Sequence, residues 1–215
     1  MRAKLLVLIE KNPNKLVQQL QKMLKDGNYR DERATHYALA LALLASQQTQ
    51  EVSTHLDWLL KQDEERLIYR LLEAQLALAM NQRDKGLQIY EQTLKVYPQN
   101  QLLSLDYAKT LLQHQFAAKA KNILLTLSVT DNPYYYHLLA EAYQGNGENA
   151  EARLAMAEHY YLSGKTALAV EQLEQGLRQT PLNFYLAARL EARLKDLQQE
   201  LHEERDERKQ NQRPE

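Results

Sequence analysis

The apolar positions of this chain recur with the period of a helix, and the helices themselves recur with a longer period. From Leu67 to Met80, residues Leu71, Ala74, Ala77 and Leu78 are spaced i, i+3 and i+4, as one helical face requires. The polar run Asn81-Gln82-Arg83-Asp84 interrupts this face, with Asp84 placed as an N-cap. A second face of Leu87, Tyr90, Leu94 and Tyr97 then follows from Gly86 and stops at Pro98. Helix, turn, helix and stop together fill residues 67–100, a unit of 34 residues. Stepping by that length puts Ala40, Ala74 and Ala108 at one small position and Val52, Gly86 and Ala120 at another. Leu56, Tyr90 and Leu124 share the bulky position that follows. Small residues are needed where two helices approach closely, and large ones fill the space beside them. A hairpin of this size has too little core alone, so its second face must be buried by a neighbour.

This pattern sets the fold class. Ala74, Gly86, Tyr90 and Pro98 have the spacing of the tetratricopeptide repeat, although Arg70 and Ala77 stand where that pattern has a large residue and a tyrosine. The expected fold is all-α, a tetratricopeptide-repeat right-handed helical solenoid of antiparallel helix hairpins. Residues 1–32 read as lead-in helices, a cap or a linker to a further domain. The first covers residues 2–11; the second follows Asn14, with Leu16, Leu20, Met23 and Leu24 on one face and Gly27 closing it. Repeats are expected over 33–182, as 33–66, 67–100, 101–132 and 133–163, the last overlapping 150–182. Glu148 to Leu162 serves two of them. Ala152 and Met156 are second-helix positions of the preceding repeat, while Ala157, Tyr160, Gly164, Ala169, Leu173 and Pro181 mark out the next. An amphipathic helix capped by Asn183 is expected over 183–201, and the polar tail 202–215 is expected to be disordered.

Bulk composition narrows the function classes. The 215 residues are 44% hydrophobic and 26% charged, so most of the chain should fold, and the even spacing favours one continuous array. A net charge of −1 supplies no basic field, and no nucleic-acid partner is expected. Cysteine is absent, which excludes a disulfide frame, a thiol nucleophile and a thiolate metal site. The longest apolar run, Tyr37 to Ala45, is nine residues and cannot span a bilayer. No secretory signal follows Arg2-Ala3-Lys4. The apolar faces close to Met1 lead us to expect a chain trimmed from a longer protein, with any signal peptide lying outside it.

The shared-helix stretch carries a more specific likeness. NPYYYHLLAEAYQGNGENAEARLAMAEHYYLSGKTALAVEQLEQGL, followed by NFYLAARLEARLKDL, closely resembles the carboxy-terminal half of the β-barrel assembly-enhancing proteases. GNYRDERATHYALALALL, Gly27 to Leu44, resembles the start of that half, so the likeness covers most of residues 1–201. The resemblance implies a periplasmic protein of a Gram-negative bacterium, in which a thermolysin-like HExxH zinc protease domain precedes the repeats. It implies as partners the chain's own protease domain, the outer-membrane β-barrel assembly machinery and barrel substrates under quality control. The repeats would recruit these and regulate access to the protease. The alternative is a free-standing tetratricopeptide adaptor with no protease attached.

No catalytic residue is assigned. Zincin chemistry needs two histidines one helical turn apart with a glutamate beside the first, and the nearest match, His202-Glu203-Glu204-Arg205-Asp206, ends in aspartate. His137 and Glu141 are i, i+4 on one helix and His159 follows Glu158, but no third ligand is indicated and no metal site is assigned. A metal enzyme built on His137 and His159 is the rival reading from another class. No cofactor is expected here; the zinc implied by the resemblance belongs to the protease domain.

The candidate site is instead the concave surface, lined by fixed positions of each first helix. Its members are Tyr37, Leu41 and Leu44; Leu71, Gln75 and Leu78; Leu105, Lys109 and Leu112; then Tyr134, His137, Glu141, Tyr161 and Leu162. Basic residues that would clamp a carboxylate are scarce there, Lys109 alone, so a hydrophobic strand, loop or partner domain suits it better. Replacing Tyr37 and Tyr161 is expected to weaken partner capture and leave helicity intact.

Overall fold

The computed structural model describes Glu10, residues 12–128 and residues 131–211, the side chains up to Glu203. The expected helix over 2–11 lies almost wholly outside the described residues. Eleven helices and no strand are found among those residues, so the all-α architecture is borne out. They are α1 (Pro13–Lys25), α2 (Glu32–Ala45), α3 (Thr49–Gln62), α4 (Leu67–Ala79), α5 (Arg83–Val96) and α6 (Gln101–Gln113). There follow α7 (Ala117–Leu125), α8 (Pro133–Gly145), α9 (Asn149–Leu162), α10 (Thr166–Leu177) and α11 (Phe184–Asn211).

The caps explain where the helices begin and end. α1 starts earlier than after Asn14: Asn12 is its N-cap, with its side chain accepting from the Lys15 amide, and Pro13 takes the first helical position, where no N–H is needed. Asp31 caps α2 through Ala34 in the same way. Asp84 is not a cap; Gln82 holds that place and the Asp84 carboxylate lies in the first turn of α5, where the helix dipole favours it.

The 34-residue period also appears in the backbone. Gln47, Asn81 and Gln115 all adopt a left-handed conformation, at φ 61°, 58° and 65°. Each turn has the same pair of hydrogen bonds. Gln47 N–H donates to Leu44 O and Gln48 N–H to Leu43 O; the pairs from Asn81 and Gln82, and from Gln115 and Phe116, repeat this. This is the Schellman closure, which satisfies the last carbonyls of the first helix. Gly147 and Gly164 close α8 and α9 with identical bonds at φ 77° and 71°. Between these two closures, α9 packs against both α8 and α10.

Packing follows the small and large positions. Ala40, Ala74, Ala108, Val52 and Ala120 are fully buried. A Cβ on Gly86 would lie 2.8 Å from Leu78 Cγ and 3.2 Å from the Ala74 carbonyl oxygen, so α4 and α5 touch there. The buried Tyr90 ring fills the space that Leu56 and Leu124 fill in the flanking pairs.

By its internal contacts the chain parts into two compact units, Met1–Leu103 and Ser104–Glu215. The division falls inside α6, a continuous helix, so no linker marks it. The first unit has a core of Leu16, Leu20, Leu39, Leu43, Leu56, Leu59 and Leu72, with Tyr37, Leu41, Leu44 and Trp58 packed partly against it. The second packs Ala157, Ala169, Leu173, Leu186, Leu190 and Leu197 together, so α9, α10 and α11 share one core. The last helix does not stop at Leu201 but runs on to Asn211. Its added residues are mostly Glu, Arg, Lys and Gln, straight-chain helix formers, with no breaker before Pro214.

Candidate functional site

Five of the expected wall residues, Leu112 among them, come together in the second unit. Lys109 of α6 and Tyr134, His137 and Glu141 of α8 line an open groove of about 880 Å³, with Leu112, Leu138 and Gln113 beside them. The start of α8 sets their positions. The Asn132 side chain accepts from the amides of Tyr134 and Tyr135, and Pro133 opens the helix. The three consecutive tyrosines then part as 100° steps require. Tyr134 is exposed on the groove, Tyr135 is buried and Tyr136 lines a separate cavity.

Charge in the groove is mixed. Lys109 and Glu141 are exposed. His137 Nε2 lies 3.2 Å from Glu141 Oε1, while its Nδ1 is enclosed without a partner. Burial, then the carboxylates of Asp106 and Glu141, push the Tyr134 hydroxyl above its ordinary pKa, so it remains a neutral donor. The His137 and His159 rings are 5.3 Å apart. His159 Nδ1 lies 2.8 Å from the Pro133 carbonyl oxygen; since a carbonyl only accepts, that nitrogen carries the proton. The bond ties α9 to the start of α8 and holds Nδ1 away from any metal. Among the described residues no group of three or more histidines, aspartates or glutamates could hold a metal ion.

The other expected wall residues lie elsewhere. Leu71 and Leu105 are buried core, not groove lining. A first-helix face is wide enough that its inner edge packs on neighbours, and these two lie on that edge. In the first unit Tyr37, Leu41, Leu44 and Gln75 are half-buried, and the Tyr37 ring lies 6.0 Å from that of buried Tyr69. Leu78 and Leu162 are likewise half-buried.

Tyr161 does not join the groove of Tyr134 and His137. The Arg193 guanidinium of α11 lies 4.5 Å from the centre of its ring, and its hydroxyl donates to Glu200 at 3.4 Å. A cavity of about 420 Å³ remains between α8, α9 and α11, bounded by Tyr136, Tyr143, Leu154, Glu158 and Arg193. Periodicity had given α11 an amphipathic face without saying which helix it would cover.

The family model for the tetratricopeptide repeat matches residues 77–141 and 136–194, more than half of the chain. The chain belongs to the tetratricopeptide-repeat family. Among curated relatives, the β-barrel assembly-enhancing proteases of Escherichia coli K12 and Shigella flexneri are each 26% identical over 200 residues, covering 92% of this chain and 41% of theirs. That of Yersinia pestis is 25% identical over 186 residues, covering 86% and 38%. The resemblance to the repeat part of that protease family is thereby borne out. The chain spans about two-fifths of the length of these relatives. A solved thermophilic tetratricopeptide protein of Thermus thermophilus aligns over 82% of this chain and 87% of its own, at 19% identity and a TM-score of 0.42.

Proposed function

We propose that this tetratricopeptide protein-interaction module is the recruiting part of a periplasmic zinc metalloprotease of the β-barrel assembly-enhancing type. In that reading the groove on α6 and α8 holds an extended strand or loop of an outer-membrane barrel protein, or of its assembly machinery. The module also docks on its own protease domain and limits access to the cleft, and the zinc and the catalytic residues belong to that domain. The observation that carries the reading is the open groove joining Lys109, Tyr134, His137 and Glu141. An apolar floor with a tyrosine edge and polar groups at both sides matches the composition of protein-binding surfaces. The name shared by the relatives supplies the class of partner.

Photo-crosslinking from position 134 in the full protein in cells tests it, with exposed Gln88 of the first unit as control. Adducts with barrel proteins or their assembly machinery from 134, and none from 88, are expected. No adduct from 134, or equal adducts from both positions, overturns the proposal.

A further inference from the structure

A smaller cavity, about 280 Å³, lies on the face of α9 opposite the one that meets α11. Its α9 contributors, Asn149, Arg153 and Met156, are separated from Glu151, Leu154 and Glu158 by roughly half a turn of the helix. Arg153 is its one charged residue, and the remaining polar lining is amide: Gln144, Asn149, Gln172 and Gln179. No carboxylate borders it. The half-buried Arg153 guanidinium donates to Gln172 Oε1 at 2.7 Å and has no acidic partner among the described residues.

Gly176 lets α10 lie close to α9 here. A Cβ there would stand 3.3 Å from Arg153 Cβ and 3.0 Å from Leu190 Cδ2, so a larger residue would push these neighbours by a few tenths of an ångström. The close approach brings Gln172, one turn earlier, against the guanidinium and leaves its amide nitrogen free to donate. A half-buried cation normally recovers its lost hydration from a counter-ion, and here the cavity supplies none.

We infer that this cavity binds a carboxylate, that of a glutamate side chain on a partner polypeptide. The single positive charge matches one carboxylate and not a phosphate dianion. Arg153 offers paired N–H donors, the amides of Gln172 and Gln144 add two more, and Ala140 with Met156 forms an apolar wall for two methylenes. The wall residues of the groove proposed above play no part; the two sites share only Gln144. Loss of one function therefore leaves the other measurable.

The test is an NMR titration of the chain with N-acetyl-glutamate amide, watching Arg153 Nε–H and the Gln172 side-chain amide. Saturable shifts at both are expected, with none from N-acetyl-glutamine amide. The apparent affinity in R153Q should be about fivefold weaker or lost, as one ion pair of about 1 kcal/mol requires. R153K, which keeps the charge, should retain saturable shifts at Gln172. Unchanged helicity of both variants, by circular dichroism, separates binding loss from misfolding. Three outcomes overturn the inference: no saturable shift, equal shifts from the glutamine probe, or equal affinity in R153Q. Shifts from N-acetyl-alanine, through its terminal carboxylate, without shifts from N-acetyl-glutamate amide, overturn the assignment to a side chain.

Discussion

Arg193 of α11 grips Glu158 of α9 with both arms of its guanidinium, Nε to Oε1 at 2.7 Å and Nη2 to Oε2 at 2.9 Å. The two side chains are 24% and 22% exposed, and the same guanidinium lies over the Tyr161 ring. A two-pronged charged bond in a partly covered site contributes more than a surface ion pair. R193M should cost about 1.5–2 kcal/mol in urea unfolding, the lower part of the range for hydrogen bonds to charged groups. R193K should recover less than half of that, because an ammonium cannot form the fork. Equal stability of R193K and the parent chain would show that charge alone holds α11.

The left-handed turn residues give a prediction of opposite sign. Gln115 sits at φ 65° with a side chain that this conformation disfavours. Left-handed backbone costs an L-residue roughly 1–2 kcal/mol, and glycine escapes that while losing roughly 0.4–1 kcal/mol through the freedom of the unfolded chain. Q115G should therefore stabilise the chain by about 0.5–1 kcal/mol in chemical denaturation. Q47G, at φ 61°, should do the same. A loss of stability in both would mean that the glutamine side chains hold the turns.

These turns also mark what could be read from the sequence. The step of 34 residues located the hairpins, the buried alanines and the tight contact at Gly86, because each of these depends on neighbours within about one repeat. It did not locate the left-handed residues, since glutamine and asparagine carry no glycine signal. Lys109, Tyr134, His137 and Glu141, expected on one wall, line one groove, whereas Leu71 and Leu105, expected beside them, are core. A face some 100° wide does not say which edge is covered. Nor does any periodicity show that Arg153 would face amides alone, because that depends on α8, α9 and α10 together.

Gly86 offers a direct test of packing inside a repeat. Alanine in mid-helix is favoured over glycine by about 1 kcal/mol, but overpacking a fitted interface costs about 1–3 kcal/mol. The new Cβ would meet Leu78 at 2.8 Å and the Ala74 carbonyl oxygen at 3.2 Å, and a backbone atom cannot step aside. G86A should lower stability by about 1 kcal/mol. In an L78A background, where the nearest obstruction is gone, the same change should be neutral or stabilising. A purely additive double-mutant cycle would refute the contact.

The first unit carries a pH-sensitive pair. His36 of α2 and His55 of α3 bring their Nδ1 atoms to 2.8 Å, and the His36 ring stacks on Trp58 at 4.0 Å. One nitrogen must donate and the other accept, so full protonation of both breaks the bond. Burial lowers both pKa values from 6.5; His36 lowers that of His55 further, and Glu32 and Glu51 partly oppose the shifts. With folded values below unfolded ones, the unfolded chain takes up more protons as the pH falls. Stability is full above about 6.5 and is lost as the pH falls through 6.5 toward the lowered values. The melting temperature should drop between pH 7 and pH 5, and H55Q should flatten that slope. An identical slope in H55Q would place the pH sensitivity elsewhere.

Tyr161 and Tyr134 had the same expected role, and the structure gives them different ones. Tyr161 lies beneath Arg193 and donates to Glu200, so its contacts are internal to the pairing of α9 with α11. Y161A removes a cation–π contact of about 0.5–2 kcal/mol together with half-buried ring surface, and should lower the urea midpoint by an amount that does not add to that of R193M. Tyr134 is 42% exposed on the groove, and Y134A should leave the midpoint nearly unchanged while weakening capture of the partner cross-linked from the neighbouring Gln113 position. Measuring both variants for both properties separates the roles. A Y161A chain of parental stability with impaired capture would return Tyr161 to the binding wall. A destabilised Y134A chain with normal capture would remove Tyr134 from it.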